Sequence, residues 1–140
     1  MKVYVASSWR NEHQQSIVAT LRSNGHEVYD FKNPPGDTGF GWRKVTSEPV
    51  PWSASRTRDV LNHPVSVAGF NSDFDAMKWC DAIVMVQPCG RSAALELGWG
   101  AGAGKLTIAL LADGQEPELM LLCANHICTS IEEVLSNLKP

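Results

Sequence analysis

The sequence predicts a single α/β domain with a doubly wound, parallel sheet of about five strands. Short apolar segments rich in β-branched residues alternate along the chain with segments of helical period. Such alternation is typical of parallel sheets, in which helices join consecutive strands. The 140 residues hold no internal repeat and no linker, and they suffice for one core, so we expect one domain over residues 1–140.

The chain is predicted to open with two strands separated by an amphipathic helix. Residues 2–6 form the first strand and residues 26–31 the second. The helix between them is expected to have Asn11 as its N-cap and to end near Gly25. Its apolar side consists of Ile17, Val18 and Leu21.

A long stretch without a clear period, residues 32–54, follows the second strand. It contains four of the eight prolines of the chain, together with Trp42 and Trp52. Loops of this length are usually functional or disordered, and the aromatic residues favour a lid. Short helices are predicted after it, at residues 55–63 and 72–79.

The second half of the chain alternates more regularly between strands and helices. Three further strands are predicted at residues 81–86, 105–112 and 126–130. Three helices are predicted at residues 92–103, 117–123 and 131–138. Ser92 is the expected N-cap of the helix at 92–103, which looks buried because small residues lie on every face, and Thr129 or Ser130 caps the last helix.

Composition excludes several classes of function. The net charge is -3, and the sequence has no run of basic residues that would indicate a nucleic-acid-binding surface. No apolar stretch approaches the length of a membrane-spanning helix, and the chain enters a strand pattern at once, without a signal peptide. The four cysteines lie in or beside apolar segments, which indicates reduced, buried thiols. We therefore expect a cytoplasmic protein that binds neither nucleic acid nor a membrane.

Two segments look like ligand motifs and fail on spacing. The cysteines and histidine of residues 123–128 lack a second ligand pair, so no metal is expected. The glycine-rich stretch 98–105 has Trp99 where a phosphate loop needs Gly. The residue after it is Leu106, where the loop needs Ser or Thr. The stretch also runs from a helix into a strand. We interpret it as close helix–sheet packing at a helix C-terminus, and we expect no cofactor.

Glu96 is the strongest functional signal. It is the only charged residue between Ser92 and Gly104, and a carboxylate in a buried helix is costly unless something binds it. A capping box would need Glu at position 95, which is Leu. The predicted place, near a helix N-terminus at the carboxyl end of a strand, is where open parallel sheets bind ligands. The helix dipole is expected to help keep the carboxyl group ionised.

Three segments are expected to converge at the carboxyl ends of the first and third strands. They are residues 4–10, 71–75 and 90–96. Together they bring carboxylates, a phenol, arginine and several hydroxyl groups to one edge of the sheet, and such groups can bind and transform a ligand.

At these positions the chain resembles the nucleoside 2-deoxyribosyltransferase family and its relatives that hydrolyse the N-glycosidic bond of nucleoside monophosphates. The matching residues are Tyr4 in the first strand, Asp73 eight residues before Asp81, and Glu96-Leu97-Gly98 in the helix. The resemblance covers most of the chain and implies a flavodoxin- or Rossmann-like fold. It also implies a small nucleoside or nucleotide as ligand and a homodimer or larger assembly.

The resemblance implies a role for each matching residue. Glu96 would be the nucleophile that forms a covalent glycosyl intermediate, with retention of configuration. Asp73 would manage protons on the departing base, and Tyr4 would hold Glu96 in line. The resemblance assigns binding roles to six further positions. Ser8 and Arg10 match a 5′-phosphate site, Trp9 matches an aromatic near the base, and a second sugar–phosphate loop corresponds to Gly90, Arg91 and Ser92.

Other interpretations stay open at this stage. Asp73 fits a first-turn helix carboxylate after Ser72, Tyr4 fits a core aromatic, and Arg10 fits a solvated arginine. Arg91 and the loop at 32–54 depart from the family pattern, which leaves the substrate open. The runner-up function is a non-catalytic nucleotide sensor on the same fold, similar to the nucleotide-sensing or NAD-cleaving domains of bacterial defence systems. A flavodoxin-like electron carrier ranks last, because residues 7–10 lack a glycine-rich flavin-phosphate loop.

The resemblance also bears on assembly. Whichever face the helix at 73–79 buries, it exposes Met77 or Trp79, which favours pairing of subunits. By analogy with a late loop of the family, residues 116–120 are expected to approach the site of the neighbouring subunit.

Overall fold

The structure, a computed structural model, describes residues 1–47 and 51–139. A five-stranded sheet in the order β2-β1-β3-β4-β5 forms its centre, and every neighbouring pair of strands is parallel. The strands are β1 (Lys2–Ala6), β2 (Glu27–Asp30), β3 (Ala82–Val86), β4 (Leu106–Leu110) and β5 (His126–Cys128). The predicted fold class is therefore confirmed. Each predicted strand is present, the first with the predicted bounds and the other four slightly shorter than predicted.

Helices cover both faces of the sheet. The α-helices are α1 (Gln14–Ser23), α2 (Ala54–Leu61), α3 (Pro64–Trp79), α4 (Arg91–Gly102) and α5 (Ile131–Asn137), with 3-10 turns at Trp42–Lys44 and Leu119–Cys123. Alternate residues of each strand point to opposite faces. Val3 and Val5 pack with α1 and α5, whereas Tyr4 and Ala6 pack with α3 and α4. The sheet is thus doubly wound, and Tyr4 lies on the face that α3 and α4 cover.

Helix α3 is twice as long as the predicted helix at 72–79. It begins at Pro64, which occupies the first helical position, and His63 accepts a hydrogen bond from the backbone N–H of Val65 as N-cap. The β-branched residues and Gly69 in its first half lower helix propensity, and packing in the fold overrides that preference. As a consequence Asp73 lies in the middle of a helix. Its interpretation as a first-turn carboxylate is wrong.

Two predicted N-caps are also wrong. Helix α4 begins at Arg91 with Gly90 as its N-cap, so Ser92 lies inside the first turn. Helix α1 begins at Gln14 with His13 at the N-cap position, and Asn11 instead accepts a bond from the His13 backbone N–H in the preceding turn. In contrast, Ser130 caps α5 as predicted. Caps of this kind depend on backbone angles that a sequence pattern fixes only to within a few residues.

Helix α4 is not buried on every face, contrary to the prediction. Ala93, Leu97 and Gly100 face the sheet, whereas Leu95 is 74% exposed. The prediction of close packing in the glycine-rich stretch is confirmed at Gly100, where a β-carbon would lie 2.6 Å from Cδ1 of Ile83. Gly104 has a φ of +73° and follows the end of the helix, as glycine commonly does.

The cysteines only partly follow the prediction. All four are free thiols, and Cys80 and Cys128 are buried, but Cys89 is half-buried and Cys123 is exposed. Among residues 1–47 and 51–139, no group of three or more His, Cys, Asp or Glu side chains is placed to hold a metal ion. Within the same ranges, no helix has both the length and the apolar character needed to cross a membrane.

Candidate active site

The loops after β1 and β3 are tied together at the carboxyl edge of the sheet. The Ser7 hydroxyl donates to the Val86 carbonyl at 2.8 Å, and the Asn11 side chain donates to Ser7 Oγ at 3.0 Å. Both strands end here, and parallel strands place their carboxyl ends at the same edge. The predicted convergence of the segments that follow β1 and β3 therefore has a direct physical cause.

Glu96 and Tyr4 meet at this edge. Glu96 lies in the second turn of α4 and is half-buried, and the Tyr4 hydroxyl donates to its Oε1 at 3.1 Å. Tyr4 is fully buried in β1 between two neighbouring strands. The structure thus brings together two residues that are 92 positions apart in the chain. A strand holds the phenol rigidly, so the carboxyl group it binds is held in a defined place.

Burial governs the protonation of this pair. It raises the pKa of Glu96 to about 7, the bond from Tyr4 lowers that pKa in part, and the charge of Asp73 adds to the rise. Burial also raises the pKa of Tyr4 far above its ordinary value, and Glu96 and Asp73 raise it further, so Tyr4 remains a neutral donor. Desolvation is the largest influence on the pKa of Glu96. The expected help of the helix dipole in keeping this carboxyl group ionised stays a prediction.

Asp73 is the second carboxyl group of the site. It is half-buried on α3, and the Tyr29 hydroxyl donates to its Oδ1 at 2.9 Å. Burial raises the pKa of Asp73, and the bond from Tyr29 opposes this rise. Asp73 also contributes to the electrostatic field at Tyr4 and Glu96, so the two carboxyl groups belong to one site.

Tyr29 is a further residue of the site that was not predicted from the sequence. Its hydroxyl lies 2.9 Å from Asp73 Oδ1 and 3.0 Å from Ser72 Oγ, and its ring stacks on that of Tyr4 at 5.4 Å between centroids. Tyr4 and Tyr29 are direct register partners on β1 and β2. The signal that could have revealed it was the tyrosine at the matching position of the second predicted strand.

Aromatic contacts hold α3 against α4 beside the two carboxyl groups. Phe74 follows Asp73 in the chain and packs edge-to-face on Trp99 of α4, with 5.1 Å between ring centroids. Trp99 lies one turn beyond Glu96 on α4. Phe70 stacks on Phe74 at 5.2 Å and extends the contact along α3. The spacing between the carboxyl groups is therefore set by packed rings as well as by the sheet.

The loop after β1 holds three of the predicted binding residues. Trp9 is 51% exposed and packs edge-to-face against Phe31, with 5.7 Å between centroids. Ser8 Oγ accepts a bond from the Arg10 backbone N–H at 3.2 Å, which leaves its hydroxyl proton available for donation. The Arg10 side chain is exposed, and within the part of the chain that the structure describes it forms no ion pair.

The loop after β3 holds the other three predicted binding residues. Gly90, Arg91 and Ser92 are exposed at the N-terminus of α4, where no side chain from the described residues caps the helix. The first N–H groups of a helix lack partners within the helix and attract anions. Arg91 adds a positive charge at the same place. This loop and the loop of Arg10 follow neighbouring strands.

The predicted lid region packs across the site face of α3. Gly39, with a φ of +77°, fits so closely that a β-carbon there would lie 2.9 Å from Cζ2 of Trp9. The ring of Phe40 lies against Gly69, and Trp42 packs edge-to-face on Phe40 at 4.9 Å. Residues 48–50 of the predicted lid lie outside the described residues. The contacts of Gly39 and Phe40 link the Trp9 loop to the helix of Asp73, whereas a lid function remains a proposal.

No protein-family model and no curated protein matches the sequence, but solved structures do match the fold. The 2-deoxyribosyltransferase of the psychrotolerant bacterium Bacillus psychrosaccharolyticus is 22% identical, with a TM-score of 0.61 over 96% of this chain and 90% of that chain. The CMP N-glycosidase BcmB of Clostridium botulinum is 19% identical, with a TM-score of 0.55 over 99% and 98%. A conserved protein from Enterococcus faecalis V583 is 12% identical, with a TM-score of 0.60 over 98% and 96%.

The chain shares its fold with a deoxyribosyltransferase and a nucleotide N-glycosidase. The resemblance predicted from Tyr4, Asp73 and Glu96-Leu97-Gly98 is thus confirmed at the level of the fold. At these identities a shared fold does not by itself transfer an activity, because function resides in sites rather than in folds. The residues of this chain must carry the functional argument.

Proposed function

We propose that the protein is an enzyme that cleaves or transfers the N-glycosidic bond of a nucleoside or nucleoside 5′-monophosphate. The observation that carries this proposal is the pair of half-buried carboxyl groups at the carboxyl edge of the sheet, Glu96 held by Tyr4 and Asp73 held by Tyr29. Two carboxyl groups, one attacking and one handling protons, are the usual apparatus for glycosidic bonds. The fold shared with enzymes of this chemistry supports it.

In the first step, an ionised Glu96 oxygen attacks the anomeric carbon of the sugar. A carbon–oxygen bond forms, the carbon–nitrogen bond breaks, and its electron pair stays on the base nitrogen. Asp73 gives the departing base a proton, so the base leaves as a neutral molecule. Tyr4 donates to Glu96 and fixes the attacking group in place. The product of this step is a glycosyl ester of Glu96.

In the second step, water or a second base attacks the same carbon. The bond to Glu96 breaks and its electron pair returns to the carboxylate. Asp73 takes the proton that the attacking molecule loses, which restores the starting state. Two displacements at one carbon retain its configuration. The active state therefore carries one proton on the pair of carboxyl groups.

A 5′-phosphate would bind between the loops that follow β1 and β3. Arg10 and Arg91 are both exposed there, Ser8 has a hydroxyl proton to donate, and the uncapped N-terminus of α4 favours an anion. Arginine can hold phosphate through two parallel hydrogen bonds. If the substrate is a nucleoside without a phosphate, Trp9 packs near its base, because the Trp9 ring is half-exposed beside Phe31.

The test is base release from a panel of ribo- and deoxyribonucleosides and their 5′-monophosphates, followed by chromatography. Each substrate is offered with water alone and with a second base, which separates hydrolysis from transfer. Rapid quenching and intact-protein mass measurement should reveal a sugar adduct that is absent in Glu96→Gln. Tight binding of a nucleotide without any base release would support the alternative, a non-catalytic nucleotide sensor.

A further inference from the structure

Tyr29 is buried on β2, and its hydroxyl reaches the centre of the candidate site. Only 9% of the side chain is exposed. The oxygen lies 2.9 Å from Asp73 Oδ1 and 3.0 Å from Ser72 Oγ. A phenol hydroxyl can donate one hydrogen bond and accept another, and here both capacities are used by two consecutive residues of α3.

The direction of both bonds follows from their chemistry. A phenol carries one proton, and an ionised carboxylate only accepts, so Tyr29 donates to Asp73. The Ser72 hydroxyl must then be the donor to the Tyr29 oxygen. The result is a chain from Ser72 through Tyr29 to Asp73 Oδ1, in which each bond strengthens the next. Within residues 1–47 and 51–139, Asp73 Oδ2 has no hydrogen-bond partner.

Tyr29 also repeats the arrangement at Glu96. Tyr4 and Tyr29 are cross-strand partners, and their rings are nearly parallel, with 12° between planes. Each phenol donates to one of the two carboxyl groups. Because both rings are fixed to the sheet and to each other, the sheet sets the position of Glu96 and of Asp73 by the same means.

We propose that Tyr29 is a positioning residue for the reaction: its hydroxyl fixes Asp73 through Oδ1, so that proton exchange with the departing base occurs at Oδ2. This assignment rests on the proposed function. Tyr29 touches no reacting atom and acts through Asp73. Removing its hydroxyl while keeping its ring should leave the stacking on Tyr4 intact and let the Asp73 carboxyl rotate.

The charge of Asp73 raises the pKa of three ionisable groups of the site, which are Tyr29 on β2, Tyr4 on β1 and Glu96 on α4. Tyr29 is the one that donates to Asp73 and favours its ionised form. In Tyr29→Phe, Asp73 should therefore take up a proton more readily. The acidic limb of the pH profile of kcat/KM should move towards neutral pH, which the loss of a purely structural hydroxyl would not cause.

The test compares base release by the unmutated protein, Tyr29→Phe, Asp73→Asn and the double variant. We expect Tyr29→Phe to lower kcat by about 10- to 100-fold with little change in KM. This loss is a part of the rate acceleration that general acid catalysis usually supplies. The double variant should be no slower than Asp73→Asn alone, because Tyr29 acts through Asp73. A thermal melt checks that each variant is folded.

The outcomes separate this inference from the proposed function. Base release that is undiminished in Tyr29→Phe, or an additive loss in the double variant, would overturn the role of Tyr29 and leave the proposed function standing. Complete absence of base release from the unmutated protein would overturn the proposed function, and the role of Tyr29 with it.

Discussion

The ring of Phe40 lies directly against the α-carbon of Gly69, one helical turn before Asp73 on the same side of α3. A β-carbon at position 69 would lie 2.8 Å from Cδ2 of that ring. Residues four apart in a helix lie one above the other, so Phe40 covers the helix next to the carboxyl group. The loop that follows β2 therefore depends on glycine at this position for its contact with α3.

Gly69→Ala should displace Phe40 and loosen the loop over the site. We expect kcat/KM for base release to fall by about 10-fold, since small misplacements near a reacting group are costly. The melting temperature should change little, because alanine favours a helix by up to about 1 kcal/mol over glycine and offsets lost packing. Gly102→Ala is the matched control, as a β-carbon there meets nothing within 4 Å. Unchanged kinetics in Gly69→Ala would exclude a lid role.

Glu96→Gln should abolish turnover and yet stabilise the protein at neutral pH. Burial raises the pKa of Glu96 from 4.5 to about 7, so the native protein binds this proton more tightly than the unfolded chain does. Stability therefore falls as pH rises from about 4.5 through about 7, by at most about 3 kcal/mol. Glutamine removes that penalty and can still accept from Tyr4.

Thermal melts at pH 4.5 and pH 7.5 measure this effect. The two proteins should melt alike at the lower pH, and Glu96→Gln should melt higher at pH 7.5. Glu12→Gln is the control. Glu12 is exposed, so removing its charge relieves no desolvation penalty and should not raise the melting temperature. A Glu96→Gln protein that melts lower and still releases base would contradict the nucleophile assignment.

The pH profile of kcat/KM should be bell-shaped. One proton on the pair of Glu96 and Asp73 is needed, and the last proton leaves at the highest pKa of the pair, about 7. Activity should thus decline above about pH 7, and decline again in acid when both carboxyl groups of the pair are protonated and no ionised Glu96 remains to attack. Steady-state assays from pH 4 to pH 9 measure this, and a rate still rising at pH 9 would rule out a required proton.

Arg10→Ala should erase most of any preference for nucleotides over nucleosides. If Arg10 binds the 5′-phosphate, monophosphates should bind more tightly in the unmutated protein, by about 1.5–3 kcal/mol for a charge-assisted bond. Titration calorimetry on both ligands gives the difference. Arg58→Ala on α2 removes the same charge elsewhere and serves as control. Equal affinities in the unmutated protein would favour the nucleoside transferase branch.

The protein is expected to be a homodimer or larger, and this stays a prediction. Of the two residues considered for exposure, Met77 is buried and Trp79 is 39% exposed. Phe70 on α3 and Leu95 on α4 are more exposed, at 61% and 74%. Leu95→Glu should shift the assembly towards monomer in sedimentation at micromolar concentration, because a buried charge is costly at an interface. A monomeric unmutated protein would contradict the prediction.

The approach of residues 116–120 to a neighbouring site is likewise untested. Leu119 and Met120 are 77% and 70% exposed, so the segment is accessible in the single chain. Met120→Glu should lower base release without altering the melting temperature if the segment reaches a neighbouring site. Full activity in that variant would exclude the contribution.

The three central strands, β1, β3 and β4, could be predicted because each is a short apolar run in which burial on both faces leaves a clear signature. Helix α3 could be predicted only in part. The first half of α3 has low intrinsic helix propensity. The contact of Gly69 with Phe40 packs this half against a loop that is distant in the sequence. Helix caps were harder still to predict. The choice between Gly90 and Ser92 as the N-cap of α4 depends on backbone angles, which the sequence does not show.

The carboxyl groups of the site could be predicted, but their setting could not. A lone charged residue in an apolar helix marks Glu96 from sequence alone. The bond of Tyr29 to Asp73 depends on the register of β2 against β1 and on which turn of α3 faces it. The pKa of Glu96 depends on how far water is excluded, which only packing decides.

The strand order has a consequence for synthesis of the chain. Tyr4 lies near the beginning and Glu96 in the final third, and they meet only after β3 has inserted between β1 and β4. The local β-α-β unit of β1, α1 and β2 can form early, whereas insertion of β3 closes a long loop and is intrinsically slower. A nascent or partly assembled chain that lacks this insertion carries only separate pieces of the site. The two carboxyl groups and the phenols that hold them therefore come together only with the finished sheet, and any activity that depends on them is confined to molecules that have completed folding.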